Sequence, residues 1–455
     1  MTDAVEREGE VAILGLGKSG AAAAKLLLAD GKRVYVSDAG TSLVVEDIAR
    51  QLRDIGAAVD TGGHDLPRIA RASTVVASPG IDPKAPALAT ARESNRRIVS
   101  EIEVALQYLS ATRIIAVTGT NGKTTTTALI GHILRGLGET AVDAGNIGTP
   151  LSDLARRDAK PDWIALEMSS FQLHDTPSLN PVVGVLTNLS PDHLDRYPTE
   201  DEYYADKALL FQNASVGSQW AVNLDDARVQ QMVAAVKGSK LNFSLKQPAD
   251  AWYDEASAEL RIGDKKLMSR NELSLLGDHN VANALAAALA VTTADDRFQS
   301  DESRRAIADA LSSFEALHHR LEIVGEVGGV QWINDSKATN VSSALVAIAG
   351  MRRPTILLLG GKHKGEPYTP LADAIRRNVK KIIAYGEAGP IVEKDLRDVV
   401  PIERLGSDFE EVMQRARESA QPGDAVLMSP ACSSYDMFRN YEERGERFRK
   451  IALGE

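Results

Sequence analysis

The 455-residue chain is 44% hydrophobic and 25% charged, the balance of a globular protein with sizeable cores and far from the polar composition of a disordered one. Its formal net charge of -11 repels nucleic acid and anionic membrane, so neither is expected as a partner, although a local basic pocket could still take a small anion. Length over roughly 150 residues per domain predicts about three domains.

The N-terminal MTDAVEREGE is acidic and polar, without the cationic and apolar regions of a secretory signal, so no export is expected. Val11-Ala12-Ile13-Leu14 reads as a strand. It is followed by Gly15-Leu16-Gly17-Lys18-Ser19-Gly20 and an alanine- and leucine-rich helix over 21–29. The Gly15-x-Gly17-x-x-Gly20 pattern is a dinucleotide fingerprint, and Asp38, 18 residues beyond Gly20, closes the next strand where a ribose-binding carboxylate would sit. Taken alone, these residues point to a nicotinamide dehydrogenase. A further strand over 74–77 ends in the breaker Ser78-Pro79-Gly80.

A new unit opens at Arg113. The run Ile114-Ile115-Ala116-Val117 leads into Thr118-Gly119-Thr120-Asn121-Gly122-Lys123-Thr124-Thr125 and another helix. Small residues let backbone N–H groups face phosphate, and the lysine and hydroxyl serve the phosphates and magnesium. The strict Walker pattern fails, because Val117 stands where its first glycine belongs, but a loop between a strand and a helix still predicts ATP binding. A second nucleotide loop fits a simple dehydrogenase poorly; a nucleotide-linked substrate accounts for both loops.

Later apolar runs end in polar clusters, as parallel strands do when they deliver residues to a carboxyl-edge site. Glu167 ends the run over 163–166 and is a candidate magnesium ligand or a solvated loop glutamate. Residues 188–195 follow the run over 182–186 and carry His193, which could ligate metal or orient a water. Lys207 lies in a helical pattern that reads as solvent-facing. The apolar stretch over 281–291 is too short to span a membrane and is expected as a buried helix.

A third set of strands is expected over 330–333, 355–359, 381–385 and 425–428. The first precedes Asn334-Asp335-Ser336-Lys337-Ala338-Thr339-Asn340, a polar ligand site or an Asx-rich turn. The second precedes Lys362-His363-Lys364, suited to carboxylate or phosphate. The last precedes Ser429-Pro430-Ala431-Cys432-Ser433-Ser434, whose hydroxyls could bind a carboxylate or cap a helix. Cys432, the single cysteine, cannot form an internal disulfide and reads as a small buried residue in a reducing compartment. The reading gives an α/β chain of three domains, over 1–101, 102–316 and 317–455.

Together, residues 118–125, Leu166-Glu167-Met168-Ser169-Ser170-Phe171-Gln172-Leu173, Asp192-His193-Leu194-Asp195-Arg196-Tyr197, His318-His319-Arg320 and the runs over 334–340 and 429–434 resemble the Mur ligase family. Within it, the run over 334–340 is similar to the branch that adds D-glutamate. The resemblance implies a Rossmann-like N-terminal domain for a UDP-sugar, a central P-loop ATPase with a mostly parallel sheet, and a Rossmann-like C-terminal domain for the amino acid. It implies cytoplasmic, ATP-dependent joining of D-glutamate to UDP-N-acetylmuramoyl-L-alanine through an acyl phosphate, in peptidoglycan precursor synthesis, by a monomer.

By the same resemblance, Gly119, Thr120, Asn121, Gly122, Lys123, Thr124 and Thr125 hold ATP, joined by Asn280, Asn283, Arg320 and Asp335. Two magnesium ions are implied, on Thr124, Glu167, His193 and Lys207, the last as a carbamate formed with carbon dioxide. Lys123, Glu167, His193 and Lys207 form the implied catalytic set. Gly17, Lys18, Ser19, Asp38, Gly80, Ile81 and Asn146 face the UDP-sugar substrate, and Lys337, Thr339, Lys364, Ser434 and Tyr441 face D-glutamate. Two departures stand out: Ala39-Gly40 follows Asp38 where a threonine and an arginine occur in some members, and Tyr441 stands where a phenylalanine is familiar.

Overall fold

The computed structural model describes residues 9–193, 196–275, 277–315 and 318–455. Leu194 and Asp195 of the histidine cluster, and the expected boundary at 316 and 317, lie outside the described residues. The first sheet is wholly parallel, in the order Ala58–Thr61 (β3), Arg33–Asp38 (β2), Glu10–Leu14 (β1), Thr74–Ala77 (β4), Arg97–Ser100 (β5). Chain order reverses at β1, the switch point at which a doubly wound sheet opens its crevice. The glycine pattern explains the tight entry to the helix Lys18–Ala29, because a Cβ on Gly20 would lie 2.0 Å from the Gly15 carbonyl oxygen.

The second sheet has nine strands. Its parallel part comprises Ala141–Gly145 (β7), Trp163–Glu167 (β8), Arg113–Thr118 (β6), Val183–Leu186 (β9), Gln219–Asn223 (β10), Ser239–Ser244 (β11) and Ala251–Asp254 (β12). Glu259–Ile262 (β13) and Lys265–Ser269 (β14) add an antiparallel edge. The 281–291 stretch lies in the helix Asp278–Ala294 and is almost entirely buried, as its composition predicts. Among the described residues, no helix is long and apolar enough to cross a membrane.

The third sheet runs Glu322–Val327 (β15), Val330–Asn334 (β16), Ala425–Met428 (β20), Thr355–Gly360 (β17), Val379–Tyr385 (β18), Ile402–Arg404 (β19), parallel apart from β15. Two apolar clusters cover its faces, one around Leu357, Leu359 and Leu427, the other around Trp332, Leu358 and Phe448.

These sheets form two compact units. The first runs to Leu189 and includes Asp201–Glu272 and Val281–Ser312; the second holds Ser190–Glu200, Leu273–Asn280 and Ser313–Glu455. The first two sheets share a unit because one apolar cluster runs continuously from Val11 and Ile13 through Ile102 and Leu151 to Ile164 and Trp220. Polar groups seal that junction: the Ser152 N–H donates to Glu101 Oε1 at 2.5 Å, the Ser178 N–H to Glu103 Oε2 at 3.0 Å, and Ser100 Oγ pairs with Thr176 Oγ1 at 2.7 Å. Burial raises the Glu101 carboxyl to about 7, against the pull of the Ser152 bonds.

Candidate active site

In the first unit, β6 ends in the loop 119–122, and Gly122 caps the helix Lys123–Gly136 with a φ of 82°. A side chain there would require a left-handed backbone and would place a Cβ 2.3 Å from Asn283 Oδ1, which itself accepts from Thr126 Oγ1 at 3.3 Å. Asn283 therefore lies against the loop. The end of β9 braces the other side. The Thr120 N–H donates to the Asn188 carbonyl oxygen at 2.9 Å and the Asn121 N–H to Asn188 Oδ1 at 2.9 Å, while Thr187 Oγ1 and Asn188 Nδ2 donate to the Asn121 carbonyl oxygen at 2.6 and 3.0 Å. These bonds fix a loop whose backbone must present N–H groups to phosphate. Lys123 Nζ spans the loop, donating to the carbonyl oxygens of Gly119 and Thr120 at 3.0 and 2.7 Å. Thr124 and Thr125 are buried in the first turn.

Lys207 corrects the reading of its helix as solvent-facing. Its side chain is buried at 1% exposure, donates to the Gly119 carbonyl oxygen at 2.8 Å and stands 4.4 Å from the Tyr203 ring centre. A short polar helix gives no periodic signal for a buried lysine, so only the family resemblance singled it out. Glu167 is also buried rather than solvated. Its Oε1 accepts from Asn146 Nδ2 at 2.8 Å, and among the described residues its buried Oε2 has no hydrogen-bond partner. A dry, unsatisfied carboxylate oxygen is costly unless something occupies it, and a hard cation is a suitable occupant.

At the carboxyl edge of the first sheet, Asp38 joins two loops: its Oδ2 accepts from the Leu16 N–H and its Oδ1 from the Gly40 N–H, each at 2.7 Å. The loop carrying Gly80 and Ile81 closes on the same edge, with the Ile81 N–H donating to the Ser78 carbonyl oxygen at 3.1 Å. Gly17 and Lys18 are exposed and Ser19 is half-buried, so this edge brings together the residues expected for the UDP-sugar except Asn146, which lies after β7 of the second sheet against Glu167.

In the second unit, Asp335 follows β16 and is buried. Its Oδ2 accepts from Ser429 Oγ at 2.7 Å and its Oδ1 from the Leu321 N–H at 3.2 Å. Burial pushes its carboxyl up to about 7 against the pull of Ser429, Leu321, Arg320 and Arg444. Arg320 and Asp335 are thus electrostatic neighbours. Asn280 sits in the first turn of the helix that also carries Asn283, but it groups with the second unit. His193 has a left-handed backbone with φ 56°, and its N–H donates to Asp192 Oδ1 at 2.8 Å. Asp192 is buried. It pairs with Lys364 Nζ at 3.3 Å and accepts from Asn340 Nδ2 at 3.0 Å, while Asn340 Oδ1 caps the helix Val341–Ala349. The 334–340 run is therefore partly the cap that its Asx content allows.

Sequence reasoning missed the residue that organises this half. Arg444, at 0% exposure, donates to Ser336 Oγ and to the carbonyl oxygens of Ser336, Cys432 and Ser433 at 3.0, 2.8, 3.1 and 3.4 Å. It ties the 334–340 run to the 429–434 run from the helix Tyr441–Leu453. No sequence signal marks it, because a cation among glutamates and arginines reads as a solvated face. Buried Ser434 and half-buried Thr339 lie on these two runs. The 429–434 hydroxyls do not cap that helix; Asn440 does, accepting from the Glu443 N–H.

The chain matches three family descriptions in order: the MurD-like N-terminal domain of Mur ligases over residues 9–100, the Mur ligase middle domain over 117–291, and the glutamate ligase domain of Mur ligases over 319–432. A UDP-N-acetylmuramoylalanine--D-glutamate ligase of Salinibacter ruber is 38% identical, with 99% of each chain covered. The enzyme of that name from Anaeromyxobacter dehalogenans is 38% identical, with 97% of each covered. The chain belongs to the Mur ligase family. The fold agrees with that of other Mur ligases. The Thermotoga maritima MurF ligase in complex with ADP aligns at TM-score 0.61 and 17% identity over 100% of both chains, and MurF from Acinetobacter baumannii at 0.63 and 15% over 93% and 91%. Membership of the Mur ligases sets aside the nicotinamide dehydrogenase reading of the first glycine loop, which falls in the MurD-like N-terminal match.

Proposed function

We infer that this chain is the ATP-dependent ligase that joins D-glutamate to UDP-N-acetylmuramoyl-L-alanine in peptidoglycan precursor synthesis, releasing ADP and phosphate. The observation that carries the reading is the match at 38% identity along 99% of the chain to an enzyme named for that substrate and amino acid. The packing of buried Lys207 and Glu167 around the phosphate loop region supports it.

Carboxylate and amine do not condense in water, so the L-alanyl carboxylate first attacks the γ-phosphorus of ATP, forming an acyl phosphate and expelling ADP. The D-glutamate amine then attacks the carbonyl carbon, loses a proton and expels phosphate. Both steps gather negative charge, and the protein contributes by positioning and neutralising. Loop amides and Lys123 bind the phosphates, and Asn280, Asn283, Arg320 and Asp335 hold the nucleotide. Thr124, Glu167, His193 and Lys207 as a carbamate would hold the magnesium ions, which neutralise phosphate charge when bound. The unsatisfied Oε2 of Glu167 suits that role. Asp38, Gly80, Ile81 and Asn146 receive the UDP-sugar, and Lys337, Thr339, Lys364, Ser434 and Tyr441 the amino acid. We place the enzyme in the cytoplasm as a monomer.

The test is phosphate release by the purified chain with ATP and magnesium. Release that requires both UDP-N-acetylmuramoyl-L-alanine and D-glutamate is expected. Release without D-glutamate, or only with another amino acid, rejects the reading.

A further inference from the structure

Tyr441 opens the helix Tyr441–Leu453, and its carbonyl oxygen accepts from Ser336 Oγ at 2.7 Å, so its backbone is anchored to the 334–340 run. The His319 ring meets it edge-on, with centroids 6.2 Å apart. The neighbouring lysine is equally fixed at its base: the Lys337 N–H donates to the His319 carbonyl oxygen at 3.1 Å, and the Thr339 N–H donates to the Lys337 carbonyl oxygen at 2.9 Å. From there a four-carbon stem carries the ammonium, which donates to the Tyr441 hydroxyl at 2.7 Å and lies 4.4 Å from the Tyr441 ring centre.

We propose that the Tyr441 hydroxyl is a positioning residue that fixes the Lys337 ammonium for a carboxylate of the incoming amino acid. The inference rests on the function proposed above. A lysine head is a flexible point charge whose rotamer entropy is lost whenever it must occupy one place. An aromatic face attracts an ammonium without a directed bond, as a phenylalanine would. The hydroxyl adds a directional acceptor on an anchored ring, so the cation is held before the carboxylate arrives and less of the binding energy goes to ordering it. The chain thereby gains, through one oxygen atom, a preorganised cation at its amino-acid end.

The experiment is steady-state kinetics of the full-length enzyme carrying Tyr441→Phe, with each substrate varied while the others saturate. The expected result is a rise of about 10-fold in KM for D-glutamate, the loss of one hydrogen bond to a charged group. Turnover and the KM values for ATP and UDP-N-acetylmuramoyl-L-alanine should stay within about 2-fold of the parent. Tyr441→Leu, which also removes the ring face, should raise the D-glutamate KM further. An unchanged KM for D-glutamate in Tyr441→Phe, or an equal rise for all three substrates, overturns the proposal. If the parent enzyme releases no phosphate in response to D-glutamate, the functional reading fails and takes this inference with it. A parent that does so beside an unaltered Tyr441→Phe variant defeats this inference alone.

Discussion

The Lys207 ammonium donates to the carbonyl oxygen of Gly119 at 2.8 Å, from a side chain with almost no exposure to solvent. A lysine so placed is either a brace for the phosphate loop or the precursor of an anionic oxygen ligand, and neither role survives truncation to alanine. Lys207→Ala should lower phosphate release by about 100-fold or more, a loss typical of removing a positioned charge-stabilising group, and excess bicarbonate should not restore it. Retained activity would remove Lys207 from the metal site.

Lys123 offers a direct test of the nucleotide assignment, because its ammonium donates to the Gly119 and Thr120 carbonyl oxygens of the loop it spans. Lys123→Ala should leave the far-ultraviolet circular dichroism and melting transition close to the parent while ADP formation falls by about 1000-fold, the scale of a lost phosphate clamp. Near-normal turnover would sink the ATPase assignment.

A pH dependence of stability follows from Glu101. Its folded carboxyl is raised to about 7 from an ordinary 4.5, with burial as the main cause. The contribution to stability is therefore full below the unfolded value and is lost as pH rises through the folded one, by an amount on the order of 1–3 kcal/mol. Glu101→Gln keeps an oxygen for the Ser152 N–H and removes the titration. The urea midpoint of the variant should gain on the parent between about pH 5 and pH 8; parallel curves would show that Glu101 does not titrate in this window.

Arg444 predicts a structural loss of a different kind. In Arg444→Met, the carbonyl oxygens of Ser336 and Cys432 lose their donor in a buried place, while that of Ser433 keeps the Lys362 N–H at 2.9 Å. Denaturant unfolding should show a loss of about 2–4 kcal/mol, since buried unpaired polar groups carry their full desolvation cost. Arg444→Lys should recover only part of it, for an ammonium cannot reproduce the planar fork. A variant as stable as the parent would show that other donors replace the guanidinium.

The strands and both glycine loops were legible because buried parallel strands write themselves as short apolar runs closed by small or polar residues. Val11 to Leu14 and Ile114 to Val117 are such runs, and the structure extends each by only one or two residues. Glu167 was legible as a position but not as an environment, since its burial depends on β7 and β8 pairing Gly145 with Glu167. Lys207 and Arg444 were illegible from pattern for one reason. Each is a cation in a charged helix, and its burial is decided by distant segments, the Gly119 turn in one case and the 432–433 carbonyls in the other.

The junction between the first two sheets bears on how the protein can be cut. A fragment beginning at Ile102 would keep the whole nine-stranded sheet yet discard Ser100 and Glu101. That would strip the acceptor from the Ser152 N–H and one of two partners from the Thr176 hydroxyl, and would bare the apolar side chains of Leu151 and Leu154 that now share a core with the first sheet. Such a piece would carry every phosphate-loop residue and still be prone to aggregation, because its missing neighbour is part of its interior. The smallest soluble nucleotide-binding fragment should begin at the N-terminal sheet, so here the unit of expression is larger than the unit of sequence homology.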